Sequence, residues 1–407
     1  MAIHAKGSGT PSSVTLSYQL LRNTTSPDEQ ASGVKSFVVN VSAFEILKFD
    51  TRENLRSYIA EYSPKKRNRV HDAIKDTIET EPQRFITRNS GFVIAASDIE
   101  IDDAKKIARL REPSILNGAQ SQGEIRRWVN ETYGDGIPGA DEEPPFYVRA
   151  EVIVDPDPNE VVETAIARNT ATPVKSISQA GARGHLDELE ASVQKRFSNI
   201  NIRKSETDIN VYDTRKILQY ARLLMPVGVS KNDTAAEKLR AYKNPEQCLT
   251  DFSDWFERKE KDPEAKAKYD FTIQIAPIAI EEYEYWERHA GWNGQHVFEE
   301  TKKGGRACRR DPKSKKIVWV SPGLVFPILG AMSEFVVESQ VGKWTLEKPQ
   351  HFKPAEMITR AVAQFRNVDS DPMQMGRSAG VYDALRIYPG TIVEVMADMK
   401  AAGLGND

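Results

Sequence analysis

Cysteine is almost missing from this 407-residue chain, which holds only Cys248 and Cys308. Two distant thiols exclude a disulfide scaffold and a cysteine-rich zinc site, both of which need several closely spaced sulfurs. Histidine is scarce too, six in all. The loose grouping of His289, His296 and Cys308 lacks the tight pair spacing of structural zinc, so no metal ligands are expected. No apolar run approaches the ~20 residues that cross a bilayer, so no membrane partner is expected. The opening residues, Met1 to Ser13, are rich in Gly, Ser, Thr and Pro and lack an apolar stretch. They read as a loose tail and not an export signal, which makes a cytoplasmic protein the expectation. A Walker loop is absent, and no catalytic class is indicated. Charge of one sign is also lacking. The 56 Lys and Arg against 59 Asp and Glu give a net charge of −3, which excludes a globally basic nucleic-acid coat but leaves room for a local basic patch.

What is present suits a globular protein: 39% of residues are hydrophobic and 28% charged. At roughly 150 residues per domain the length suggests two or three domains. Phe37, Val39 and Val41 alternate as in a half-buried strand, which Phe44, Ile46 and Phe49 extend. Ser63-Pro64 opens a helix with Val70, Ile74 and Ile78 on one face. Phe85 to Ile94 reads as a bent strand or hairpin around Asn89-Ser90-Gly91. Ser114 to Leu116 is a short strand ending at Asn117-Gly118, and a helix with Ile125, Trp128 and Val129 follows to Tyr133. Phe146 to Val154 is a β-branched strand. A helix from Pro158 then buries Val161, Val162, Ala165 and Ile166 and ends near Asn169. From Ser176 onward helical spacing dominates, with later helices expected at 247–257, 273–288, 324–339, 355–365 and 391–399 and a lone strand at 317–320. The fold class is therefore α+β (mixed α/β): a flexible tail at 1–30, an α/β core at 31–205, and a mainly helical domain at 206–407 with a basic loop at 302–316.

The turns at Asn89 and Asn117 carry the most chemical information. A strand that delivers Asn-Gly straight into a helix points several backbone N–H groups at one place, and the helix dipole adds positive potential there. Phosphate binds such places. The competing explanation is local, since Asn tolerates turn geometry without any ligand.

Three segments in order resemble motifs of the abortive-infection phage-resistance (AIPR) family. Phe85-Ile86-Thr87-Arg88-Asn89-Ser90-Gly91-Phe92 resembles its F-x-x-x-N-N-G-I stretch. Pro113-Ser114-Ile115-Leu116-Asn117-Gly118-Ala119-Gln120-Ser121 is similar to P-x-I-V-N-G-x-Q-T, and Asn169-Thr170-Ala171-Thr172-Pro173-Val174 resembles N-x-Q-x-x-V. The likeness covers roughly residues 85–175 and implies a phage-defence protein whose α/β core binds a nucleotide or nucleic-acid phosphate. It also implies a ligand site of Arg88, Asn89, Gly91, Asn117, Gly118, Gln120, Ser121 and Asn169. Ser90, Ser121 and Ala171 depart from the family pattern, and Ala171 removes an amide able to contact a base or ribose. The family core in turn resembles, more distantly, the DGQQR and ParB/sulfiredoxin-like nucleotide-binding fold, where an Arg in the turn holds a phosphate. Ser121 stands at that position here, leaving Arg126 or Arg127 as substitutes.

A second feature is the basic run Lys302, Lys303, Arg306, Arg309, Arg310, Lys313, Lys315 and Lys316, with one acid, Asp311, among them. Tyr283, Tyr285, Trp286, Trp292 and Phe298 precede it. Cations neutralise phosphates and aromatics stack on unpaired bases, so a nucleic-acid patch centred on Lys302, Lys303, Arg306, Arg309 and Arg310 is one reading. A solvated loop beside a local aromatic core is the other. Glu300-Thr301-Lys302 and Asp311-Pro312-Lys313 match half of a nuclease pattern, which would call for Mg²⁺. A non-catalytic DNA-binding regulator or scaffold is a third reading. The ligand stays unidentified, and association into a homo-oligomer remains open.

Overall fold

The computed structural model describes residues 13–51, 69–134, 144–168, 175–205, 208, 210–229, 235–300, 306–340 and 342–402. The chain divides into two compact units, residues 1–184 with 204–209 and residues 185–203 with 210–407.

The first unit is built on a seven-stranded sheet. In chain order it holds β1 (Ser13–Asn23), α1 (Pro27–Ser32), β2 (Lys35–Ser42), α2 (Ala43–Ile46), α3 (Arg69–Thr80), α4 (Phe85–Arg88), β3 (Phe92–Ala96), β4 (Asp98–Asp102), β5 (Ile107–Arg111), β6 (Ser114–Asn117), α5 (Ala119–Tyr133), β7 (Tyr147–Val154), α6 (Pro158–Arg168) and α7 (Ser176–Ala182). The strand order is β4-β5-β1-β2-β7-β3-β6. The β3–β7 pair is parallel and the remaining pairs are antiparallel.

Alternation sorts the side chains to the two faces of the sheet. Leu16, Val39, Ile94, Leu110, Ile115 and Val148 point into the main core with Ile78 of α3 and Ile125 of α5, while their neighbours Ala95 and Leu116 pack with Ala165 of α6. Helices therefore cover both faces at the β3–β6 end, and both α5 and α6 lie close to β6.

Several expectations need correction. Residues 13–30, assigned to the tail, form β1 and α1 instead. Val14, Leu16 and Tyr18 alternate inward along β1, and the intervening Ser and Thr are compatible with strand as well as loop. A capping box between Ser26 and Glu29 then starts α1. Phe44, Ile46 and Phe49 stay buried but do not prolong β2. The Ser42 hydroxyl accepts from the Phe44 amide and turns the chain into α2. Phe85 to Arg88 is one helical turn and not strand, and the chain becomes extended only from Phe92. The β4–β5 hairpin was not anticipated. The start of the helix expected at Ser63 lies outside the described residues.

The second unit is mainly helical. It comprises α8 (Asp187–Arg196), α9 (Thr214–Leu224), α10 (Ala235–Lys243), α11 (Pro245–Arg258), α12 (Pro263–Arg288), β8 (Cys308–Arg310), β9 (Ile317–Val320), α13 (Pro322–Ala331), β10 (Val336–Gln340), β11 (Lys343–Leu346), α14 (Pro354–Asn367), α15 (Pro372–Gly376) and α16 (Ala379–Ala401). The long α12 packs against α8, α9, α11 and α13. Trp286, Trp292, Tyr269, Phe252 and Phe271 are fully buried, each contributing about 2–3 kcal/mol of transfer free energy. The strand expected alone at 317–320 pairs with β8. The helix expected over 324–339 stops at Ala331, and β-branched Val336 and Val337 open β10 instead.

Candidate functional site

Adjacent β3 and β6 run antiparallel, with Val93 opposite Asn117. This pairing sets the turn before β3 beside the turn after β6, so Asn89-Ser90-Gly91 and Asn117-Gly118 sit at one end of the sheet. Each turn depends on its glycine. Gly118 has φ +114°, and a Cβ there would lie 2.4 Å from the Phe92 ring. Gly91 has φ +85°, and a Cβ would lie 2.9 Å from the Arg149 carbonyl oxygen. Both positions need the left-handed region and a bare backbone at once. Phe92 thus lies over the turn that launches α5.

Side chains tie the turns together. The Asn89 amide nitrogen donates to the Ser121 hydroxyl at 2.8 Å, and its oxygen accepts from the Gly91 amide at 2.9 Å. Asn117 donates through Nδ2 to the Arg168 carbonyl at 3.4 Å, at the end of α6. Gln120 Oε1 is 2.6 Å from Nε2 of His71, which is 1% exposed on α3. Arg88 ion-pairs with Glu81, and Arg168 makes a two-pronged contact with Glu151 at 2.8 Å per oxygen. Asn169, expected in the site, lies outside the described residues, although its neighbour Arg168 is the group Asn117 reaches.

Apart from Arg88, which is paired with Glu81, the described residues expected in the site fall into two sets. Asn89, Gly91 and Ser121 brace the turns, with the Asn89 amide engaged at both ends. Exposed Asn117 and half-buried Gly118 and Gln120 line the amino end of α5. Gly118 is the N-cap and supplies no side-chain acceptor to the helix. As in any α-helix, the amides of the first turn have no intrahelical acceptor, and the dipole makes this end favourable for an anion. Arg126 and Arg127 are committed elsewhere. Arg126 donates to the Leu47 carbonyl at 3.3 Å, and Arg127 pairs with buried Glu124 and with Glu131. Gln122 donates to the Ile46 and Phe49 carbonyls and anchors α5 to the end of α2. No site role was expected for His71, Phe92 or Arg168, because each joins the site through a contact some 25 to 50 residues away in the chain.

In the second unit, Lys302 and Lys303 lie outside the described residues. Arg306 and Arg309 are exposed. Arg310 is instead a staple, donating to the Val297 and Lys315 carbonyls at 3.0 and 3.1 Å. Of the preceding aromatics, Tyr283, Trp286 and Trp292 belong to the core, while Tyr285 and Phe298 are exposed. The Asp311 carboxylate accepts from the Lys313 and Ser314 amides, so it caps a turn. Among the described residues no three His, Cys, Asp or Glu side chains gather as a metal site would require, and no helix is long and apolar enough to cross a membrane.

The profile of the AIPR protein family matches residues 52–271, more than half of the chain. The chain belongs to the AIPR family, and this places it among abortive-infection phage-resistance proteins. No curated protein and no solved structure matches it.

Proposed function

We propose that this phage-defence protein binds a phosphate-bearing ligand, a nucleotide or a nucleic-acid phosphate, at the amino end of α5. The observation that carries the reading is the Asn89–Ser121 hydrogen bond, which joins two family motifs at a helix N-terminus. In this reading the first-turn amides receive the phosphate. Gly118 lets the ligand approach the backbone, and Asn117 and Gln120 contact its polar edges. His71 Nε2 lies 2.6 Å from the Gln120 oxygen and holds that side chain beside the turn. Asn89, Gly91 and Ser121 hold the frame and make no ligand contact.

The test is fluorescence anisotropy with a labelled nucleoside triphosphate, competed by inorganic phosphate. Asn117→Ala and Gln120→Ala are each expected to weaken binding by about 5- to 30-fold, the loss of one or two hydrogen bonds to a charged ligand. Saturable binding that neither variant changes would remove the ligand from this place.

A further inference from the structure

The β8–β9 hairpin in the second unit presents an unusual outer surface. The segment 297–299 runs along β8: the Val297 carbonyl accepts from the Cys308 thiol at 3.4 Å and from Arg310 at 3.0 Å, and Glu299 accepts from the Arg310 amide at 2.8 Å. On the other side of β8, Arg309 stands opposite Trp319. Cys308 and Val320 are buried, so the neighbouring pair Arg309 and Trp319 belongs to the opposite, outward face of the hairpin, and Phe298 follows buried Val297 on the bordering segment. Phe298 is 68% exposed and Trp319 partly so. Arg309 is thus paired across the hairpin with Trp319, and exposed Phe298 lies on the segment bonded to β8.

Arg306, Lys313, Lys315 and Lys316 surround this row, all exposed. Among the described residues neither these four nor Arg309 enters an ion pair. The five cations outnumber the three nearby acids, Glu299, Glu300 and Asp311, and two of those carboxylates are engaged by backbone amides, Asp311 at the hairpin turn and Glu299 at Arg310. Lys315 has φ +58°, a left-handed conformation that favours Gly or Asn, so the loop keeps a cation where a lysine is strained.

We propose that this face binds single-stranded nucleic acid. Phe298 and Trp319 stack on bases, while Arg306, Arg309 and the three lysines neutralise phosphates. A duplex hides its base faces, so only an unpaired strand uses both parts of the surface. The site is separate from the phosphate-binding reading of the first unit.

The experiment is anisotropy of the full chain with labelled oligo-dT and oligo-U of about 20 nucleotides, long enough for the sites typical of such surfaces. A matched duplex serves as comparison, and every measurement is repeated in the Asn117→Ala protein. The expected result is salt-sensitive binding of a single strand, several-fold tighter than of the duplex; the tighter homopolymer assigns DNA or RNA. Phe298→Ala weakens it about tenfold through lost stacking. Arg309→Gln lowers the slope of log affinity against log salt by about 0.7, the value for one phosphate on a single strand. Lys400→Gln, on the last helix, changes neither. Losses seen in both backgrounds belong to the hairpin and not to the Asn117 site. Absence of binding at low salt, equal affinity for duplex, or indifference to Phe298→Ala overturns the proposal.

Discussion

Asn89 and Ser121 lie 32 positions apart, yet the amide of one donates to the hydroxyl of the other at 2.8 Å. The same Asn89 side chain accepts from the Gly91 amide. One residue therefore closes its own turn and fastens that turn to the first turn of α5. The two strands it connects are already paired, so the bond fixes the orientation of the loops and not the sheet itself.

Removing that brace should loosen the turn more than the core. Asn89→Ala is expected to cost about 1–3 kcal/mol, two hydrogen bonds at the usual net value. Asn89→Asp keeps the acceptor for Gly91 and loses the donor to Ser121, so it should cost about half as much. Amide hydrogen exchange at Gly91 reports the difference: fast in the alanine variant, intermediate in the aspartate one.

Gly118 and Gly134 separate strain from crowding. Both have positive φ, but a Cβ at Gly134 meets nothing within 4 Å among the described residues, while one at Gly118 enters the Phe92 ring. Gly134→Ala should cost about 1–3 kcal/mol, the backbone term alone in a region essentially confined to glycine. Gly118→Ala adds overpacking, for a total of about 2–5 kcal/mol. Urea denaturation of the two variants measures the gap.

Acid should act on the second unit through Asp213, the N-cap of α9. Burial pushes this carboxyl up, but its contacts with the Arg215 guanidinium and amide, and the charge of Arg203, outweigh burial and hold it below the ordinary 3.8. A folded-state value below the unfolded one means that the stabilisation is present above pH 3.8 and is lost as pH falls through the lower folded value. Asp213→Ala should cost about 1–2 kcal/mol at neutral pH. The deficit against the parent protein shrinks below pH 3.8, as followed by helical circular dichroism in an acid titration.

Local signals in the chain announced some of this architecture and concealed the rest. The strand through Phe37, Val39 and Val41, and the strand–turn–helix sequence from Ser114 to Tyr133, were legible because burial on one face imposes a short period. β1 was hidden by Ser and Thr, which suit strands and loops alike. The β4–β5 hairpin was hidden by its acids and arginines, the charges that protect a sheet edge. At the site, Asn89 and Asn117 were visible as turn formers. The contacts Asn89–Ser121, Asn117–Arg168 and Gln120–His71 were not, because they arise only when the sheet and helices assemble. The aromatic cluster before the basic run was equally ambiguous. Spacing cannot distinguish buried Trp286 from exposed Phe298, and only the packing of α12 does so.

The most direct measurement of ligand binding at α5 uses protein labelled with ¹⁵N-glycine, which carries 24 glycines. On titration with a nucleoside triphosphate, and separately with inorganic phosphate, the amide resonance of Gly118 should move most, and Asn117→Ala should suppress the movement. Saturating shifts confined to other glycines, or none with either compound, would contradict the account.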